Sequence, residues 1–262
     1  MRGTMGTSQT AIGDLAGTGP WLDVAGRTVR SRLLVGIEHY DSAEVAGQVL
    51  AAAGADVIIV TTDTDNDRPS LLLADLDRAV RLDDFVWIGT TSFARSRAAA
   101  IRTAQVLRES MGIDILKLDV RVDTNVPDNA ATLEAARELR RSGLELLPFI
   151  QPDLRTAREL EDLGCAAVRV MAAPIGSDRG IDDPQRLREI IGVLGIPVII
   201  EGGLGRASHV ARAMELGAAA VLVNTAVAEA GDKVRMAASM RHAAAAGRLC
   251  FESGTEPLIA PG

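Results

Sequence analysis

Leu-Gly-Ala-Ala-Ala-Val-Leu-Val occupies residues 216–223. A glycine that stops a helix, a few small residues and a short apolar run describe a helix handing over to a buried parallel strand. The same order recurs in Ala-Gly-Ala-Asp-Val-Ile-Ile (53–59) and in Leu-Gly-Cys-Ala-Ala-Val-Arg-Val (163–170). The small residues let helix and strand pack closely. Strands that alternate with helices in this way predict an α/β fold with a parallel sheet.

Working outward, strand-like runs fall at 33–37, 56–62, 85–91, 115–120, 145–150, 167–173, 197–203 and 220–226. Stretches of helical period follow each, at roughly 42–53, 69–81, 94–111, 130–142, 153–163, 184–194, 207–216 and 232–246. Asp153, Asp183 and Asp232 stand at helix starts as caps or first-turn acids, and Gly54, Gly143, Gly164, Gly195 and Gly217 close helices. Eight units at an average repeat of about 27 residues are the count of a (βα)8 TIM barrel. A doubly wound sheet usually has fewer units, and its first strand often leads into a glycine-rich dinucleotide turn. Here that strand leads into Gly36-Ile37-Glu38-His39-Tyr40. The expected organisation is a flexible leader over 1–20, a barrel over 21–247 and an irregular tail over 248–262.

Composition agrees with a folded globule: 47% hydrophobic and 24% charged in 262 residues. The formal charge of -7 argues against nucleic acid as a partner. No apolar run approaches the roughly 18 residues of a membrane span, and the leader lacks a signal-peptide core, so no membrane partner and a cytoplasmic location are expected. Two cysteines, Cys165 and Cys250, cannot make a disulfide scaffold. Of 28 basic residues only Lys117 and Lys233 are lysine. In a chain so biased toward arginine, each remaining lysine asks for a reason.

Barrel active sites lie at the C-terminal ends of the strands. Lys117 lies in the fourth strand, and alternation puts it on one face with Ile115 and Asp119. If that face is interior, the lysine is buried. Burial disfavours an ammonium, and a neutral amine is what attack on a carbonyl to form an imine requires. The other reading is a buried ion pair with Asp119 or Glu201. Those two carboxylates end strands four and seven, where they could move protons or balance Lys117 and Arg169. Arg169, a charge inside Val168–Val170, faces the helices or reaches an acid or a phosphate. The seventh strand ends in Gly202, Gly203 and Gly205, and the eighth in Asn224 and Thr225. These are the usual phosphate loops of this fold, where backbone N–H groups and a helix start meet the anion. Read more plainly, the glycines only make turns. Gly176 and Ser177 belong to a further polar loop, 173–180, and His39 in the first loop could touch substrate. His209 and His242 read as surface helix residues. No histidine and carboxylate spacing suggests a metal.

Ile-Leu-Lys-Leu-Asp (115–119), Leu-Glu-Asp-Leu-Gly-Cys-Ala-Ala-Val (160–168), Ala-Pro-Ile-Gly-Ser (173–177), Gly-Gly-Leu-Gly (202–205) and Ala-Val-Leu-Val-Asn-Thr-Ala-Val-Ala (220–228) resemble the thiazole synthase (ThiG) family over about residues 24–250, in the family's order. The resemblance implies that Lys117 forms an imine with a sugar phosphate. It also implies a small ubiquitin-like sulfur-carrier protein with a C-terminal thiocarboxylate as partner, no cofactor and a homo-oligomer. The departures are as informative. Gly-Ile-Glu-His (36–39) stands for Gly-Thr-Gly-Lys, Gly-Thr-Thr (89–91) for Pro-Asn-Thr, and Arg-Val-Met-Ala (169–172) for Met-Pro-Leu-Gly. Asp119 stands for a glutamate and Glu201 for an aspartate. The imine and phosphate positions are kept while the pocket is rebuilt. This resembles the 2-thiosugar-forming, BexX-like branch, which implies glucose 6-phosphate, a C1 imine and a C2 ketone that accepts sulfur. Thiazole synthesis from 1-deoxyxylulose 5-phosphate, a catalytically silent scaffold, and a sulfur-free aldolase or isomerase are the other readings.

Overall fold

The computed structural model describes residues 19–37, 40, 42–61, 73–121, 123 and 125–254. The expected leader up to residue 18, His39 and the chain after Gly254 lie outside the described residues.

The described chain opens with an element that the βα rhythm did not announce. Strands β1 (Leu22–Val24) and β2 (Arg27–Val29) pair antiparallel. Ala25 (φ 48°) and Gly26 (φ 71°) join them with two successive left-handed residues, the backbone of a tight hairpin. Leu22, Val24 and Val29 are buried against Leu34, Ile59, Ile88, Ile115, Leu147 and Ile199. The hairpin therefore plugs the N-terminal end of a barrel.

The barrel strands are β3 (Leu33–Val35), β4 (Val57–Thr61), β5 (Val86–Thr90), β6 (Ile115–Leu118), β7 (Glu145–Ile150), β8 (Val168–Met171), β9 (Val198–Glu201) and β10 (Ala220–Val223). Hydrogen-bonded neighbours run β3-β10-β9-β8-β7-β6-β5-β4, every pair parallel. β4 comes back beside β3, so the eight strands make a nearly closed (βα)8 barrel. Each strand begins and ends within the run expected for it. The residues past its end, such as Asp119, Gly202 and Asn224, form the mouth.

Helices α1 (Ala43–Ala53), α2 (Leu73–Ala79), α3 (Arg97–Met111), α4 (Asn129–Arg141), α5 (Leu154–Asp162), α6 (Pro184–Val193), α7 (Ala207–Glu215), α8 (Thr225–Ala228) and α9 (Lys233–Glu252) surround it. Asp153, Asp183 and Asp232 each accept a backbone N–H three residues on, as N-caps do. Two boundaries differ from expectation. The single turn of α8 stands between β10 and the last helix. And α9 runs to Glu252, into the segment expected to be irregular: Arg248 pairs with Glu252 at 2.6 Å and lies over the Phe251 ring, which carries the helix onward. None of the described helices is long and apolar enough to cross a membrane.

Alternation fixes what faces inward. Leu116, Leu118, Val168 and Val170 pack toward the helices. Their neighbours on the other strand face, Ile115, Lys117 and Arg169, must point into the barrel.

Candidate active site

Lys117 is 4% exposed. Its Nζ lies 3.3 Å from Glu201 Oε1, 3.4 Å from each Asp119 oxygen and 3.1 Å from Ser92 Oγ, to which it donates. Ser92 is in turn 2.7 Å from Thr90 Oγ1. The register explains the meeting: Thr90 is paired with Lys117 across β5 and β6, and Met171 and Leu222 flank Glu201 across β8 and β10.

Below the lysine sits Arg169, fully buried. Its guanidinium donates to Asp119 Oδ1 and Glu201 Oε2, and to the carbonyls of Leu147 (2.9 Å) and Leu118 (3.0 Å), with the Phe149 ring 5.0 Å away. Arg121 closes the network, donating to Asp119 Oδ2 through Nε (3.1 Å) and Nη2 (2.7 Å). Thr91 anchors the same residue by its backbone: Thr91 Oγ1 donates to the Asp119 carbonyl and accepts its N–H, both at 2.8 Å. Burial pushes the Asp119 carboxyl up. The charges of Arg169, Lys117 and Arg121, with the Arg121 hydrogen bond, outweigh that and hold it well below the usual carboxylate range. Asp119 is thus a fixed anion.

Two adjoining cavities open above this layer. The larger, about 260 Å³, is lined by Gly176, Gly202, Gly203, Gly205, Asn224 and Thr225. Gly202 (φ 85°) and Gly203 (φ 71°) are left-handed. A Cβ on Gly202 would come 2.5 Å from the Ala173 carbonyl, and one on Gly203 2.5 Å from Ala173 Cβ. These glycines do make the turn, and they also bring backbone to the cleft wall. The first N–H groups of α8 have no intrahelical acceptor. Asp178, Glu201 and Glu229 are the charged residues on the walls; among the described residues no Lys, Arg or His lines this cleft. The smaller cavity, about 80 Å³, contains Lys117 with Ser92, Phe93 and Arg121. Glu201, Asn224 and Thr225 border both.

The structure brings together Lys117, Asp119, Glu201, Gly202, Gly203, Gly205, Asn224, Thr225 and Gly176. Of the alternatives for Arg169, the structure shows the one in which it reaches acids; as a substrate or phosphate contact it is not placed, since it lines neither cavity. The inward face of β8 places it beneath the mouth, with its donors turned to two carboxylates and two carbonyls. Ser177 is not on either cavity wall, and its Oγ is buried without a hydrogen-bond partner. His39 lies outside the described residues. Burial pushes the Cys165 thiol up to about 12, consistent with a packing role. Sequence reasoning missed Ser92 and Arg121. Arg121, a charge just past the fourth strand, was the available signal; Ser92 carried none.

Comparison with known proteins matches residues 23–259 to the family "Thiazole biosynthesis protein ThiG". Thiazole synthases of Maricaulis maris and Aquifex aeolicus are 40% and 37% identical, each over 90% of this chain and 89% of the relative. The crystal structure of the Amycolatopsis orientalis BexX/CysO complex contains a chain 62% identical. The match has a TM-score of 0.89 and covers 92% of this chain and 99% of that one. The chain therefore belongs to the ThiG family, and within it to the BexX-like branch.

Proposed function

We propose that the protein is a sulfur-carrier-dependent synthase that converts a phosphorylated sugar, glucose 6-phosphate, to a 2-thiosugar phosphate through an imine on Lys117. The observation that carries this reading is the 3.3 Å approach of Lys117 Nζ to Glu201, the carboxylate that also borders the glycine cleft. Its membership of the BexX-like branch supports the choice of sugar over the thiazole precursor.

The chemistry then divides among residues. The phosphate meets backbone N–H groups at Gly202 and Gly203 and the start of α8, neutral donors in a cleft that among the described residues has no basic side chain, while the Gly205 N–H donates to the Gly203 carbonyl at 2.9 Å and holds the turn. The open-chain aldehyde reaches Lys117, whose amine adds at C1 and loses water to give the imine. Transfer of the C2 proton to C1 and of the C2 hydroxyl proton to the nitrogen yields a C1 amine and a C2 ketone. Glu201 moves the proton from C2 to C1, since it borders both cavities and touches the amine. Asp119 stays ionised, lines neither cavity and is a positioning residue. The thiocarboxylate of a small ubiquitin-like carrier adds through sulfur to the C2 ketone. Its acyl group passes from sulfur to the C2 oxygen and leaves with that oxygen as the carrier's carboxylate. The resulting C1 amine and C2 thione tautomerise to a C1 imine and C2 thiol, which water releases from Lys117. A CysO partner in the BexX complex supports that kind of partner.

The second reading is thiazole synthesis from 1-deoxyxylulose 5-phosphate, favoured by 40% identity to a curated thiazole synthase. Intact mass after borohydride reduction decides. The expected result is an adduct with glucose 6-phosphate that maps to Lys117 and is lost in Lys117→Ala. An adduct with the pentulose phosphate alone would favour thiazole synthesis. No adduct with either, in folded protein, would sink the imine reading for both and leave a scaffold.

A further inference from the structure

Lys117 Nζ meets three acceptor residues: Asp119, Glu201 and Ser92. Three is also the number of hydrogens on an ammonium. The match ends when the nitrogen becomes an imine, which carries one hydrogen if protonated and none if not. Asp119 is a fixed anion and has no hydrogen to return to that nitrogen. Ser92 differs, because a neutral hydroxyl both accepts and donates. Its other partner is Thr90 Oγ1, fully buried and 2.7 Å away, in a contact that either oxygen can donate. Ser92 can therefore turn its hydrogen from Thr90 to the lysine nitrogen while Thr90 takes over as donor. Ser92 also lines the small cavity together with Lys117 and Glu201, whereas Thr90 lines neither cavity.

We infer that Ser92 is a catalytic residue that passes the proton of the substrate's C2 hydroxyl to the imine nitrogen of Lys117. This inference rests on the imine reading above and adds a residue to it. Conversion of the imine to a C1 amine and a C2 ketone moves two protons. One travels between carbons and falls to Glu201. The other travels from O2 to nitrogen. A direct transfer closes a five-membered ring of nitrogen, C1, C2, O2 and hydrogen, and bends the O–H···N angle toward the range where hydrogen bonds weaken steeply. With the Ser92 hydroxyl inserted the ring has seven members, and both hydrogen bonds can straighten. The step balances. As Glu201 takes the C2 proton, the C2–H pair forms C1=C2 and the C=N π pair moves to nitrogen. The nitrogen takes the proton of Ser92 Oγ, and Oγ takes that of O2. The O2 pair then closes C2=O, and the C1=C2 pair takes the proton back from Glu201 at C1. Both residues end as they began, and no co-reactant is consumed.

The test incubates the enzyme with glucose 6-phosphate, without carrier, and quenches with borodeuteride after increasing times. Reduction of the imine leaves deuterium at C1 of the Lys117 adduct, and reduction of the ketone leaves it at C2. Fragment masses of the adduct peptide locate the label. In the wild type the label is expected to move from C1 to C2 with time. In Ser92→Ala the adduct is expected to form and the move to slow by about 10²-fold, with most of the rate returning in Ser92→Thr. Ser92→Gly removes the same hydroxyl and is expected to match the alanine variant, which keeps the test open if that one does not fold. A move as fast in Ser92→Ala as in the wild type would overturn the inference. So would a folded Ser92→Ala that forms no adduct, since Ser92 would then act in forming the imine. No adduct in the wild type, or a label that never leaves C1, would sink the reaction proposed above and this inference with it.

Discussion

Asp119 and Glu201 both reach Lys117, yet only Glu201 borders the two cavities. Asp119 is spoken for by Arg169, Arg121 and the Thr91-anchored backbone. The difference predicts unequal costs. Glu201→Gln preserves shape and a contact to Arg169 while removing the proton carrier, so kcat is expected to fall by about 10²–10⁴. Circular dichroism and single-turnover kinetics check this together; a folded variant with an unchanged rate would remove Glu201 from proton transfer. Lys117 and both acids were legible in the sequence because a charge at the end of an apolar run has few reasons to be there. Arg169 was legible as an oddity only. Whether its strand face looks inward depends on which neighbours pack on the helices. Ser92 was not legible, because its meeting with Lys117 depends on the pairing of β5 with β6, which no local pattern encodes.

At the scale of elements, the glycine turn after β9 does two things at once. Its left-handed residues turn the chain, and the missing Cβ atoms admit Ala173 from the loop after β8. The Gly180 N–H donates to the Gly203 carbonyl at 2.9 Å, so the two loops are seamed together. Gly203→Ala must therefore meet a backbone penalty of about 1–2 kcal/mol and a clash costing about 1–3 kcal/mol more. Gly112→Ala provides the comparison, since Gly112 is left-handed (φ 66°) with open space where its Cβ would be. It is expected to show the backbone penalty alone. Thermal unfolding should separate the two by about 2–4 °C for each kcal/mol of difference. Only Gly203→Ala should also weaken sugar phosphate binding, because Gly203 lines the cleft and Gly112 does not. The eight βα units were readable from period and punctuation. The hairpin was not: three-residue strands carry too little alternation, and Leu22, Val24 and Val29 acquire meaning only once there is a barrel floor for them to cover.

For the whole molecule, the buried network links catalysis to acid stability. Asp119 holds its proton less tightly when folded than in the unfolded chain, where a carboxylate titrates near pH 3.9. Its contribution is fully present above that ordinary value. As pH falls through it, the unfolded chain takes up the proton first, and the contribution shrinks until the folded carboxyl titrates in turn. Many of the 35 acidic residues change protonation over the same range, so the wild type alone cannot isolate this effect. The difference between wild type and Asp119→Asn can. At neutral pH the variant removes the carboxylate that Lys117, Arg121 and Arg169 share, and a loss of about 3–5 kcal/mol is expected, as for other buried pairs deprived of a partner. That gap should narrow steadily as pH is lowered below about 4. Denaturant unfolding of both proteins at neutral and successively lower pH measures it. A gap that stays constant with pH would mean that Asp119 contributes through shape and hydrogen bonding rather than through its charge.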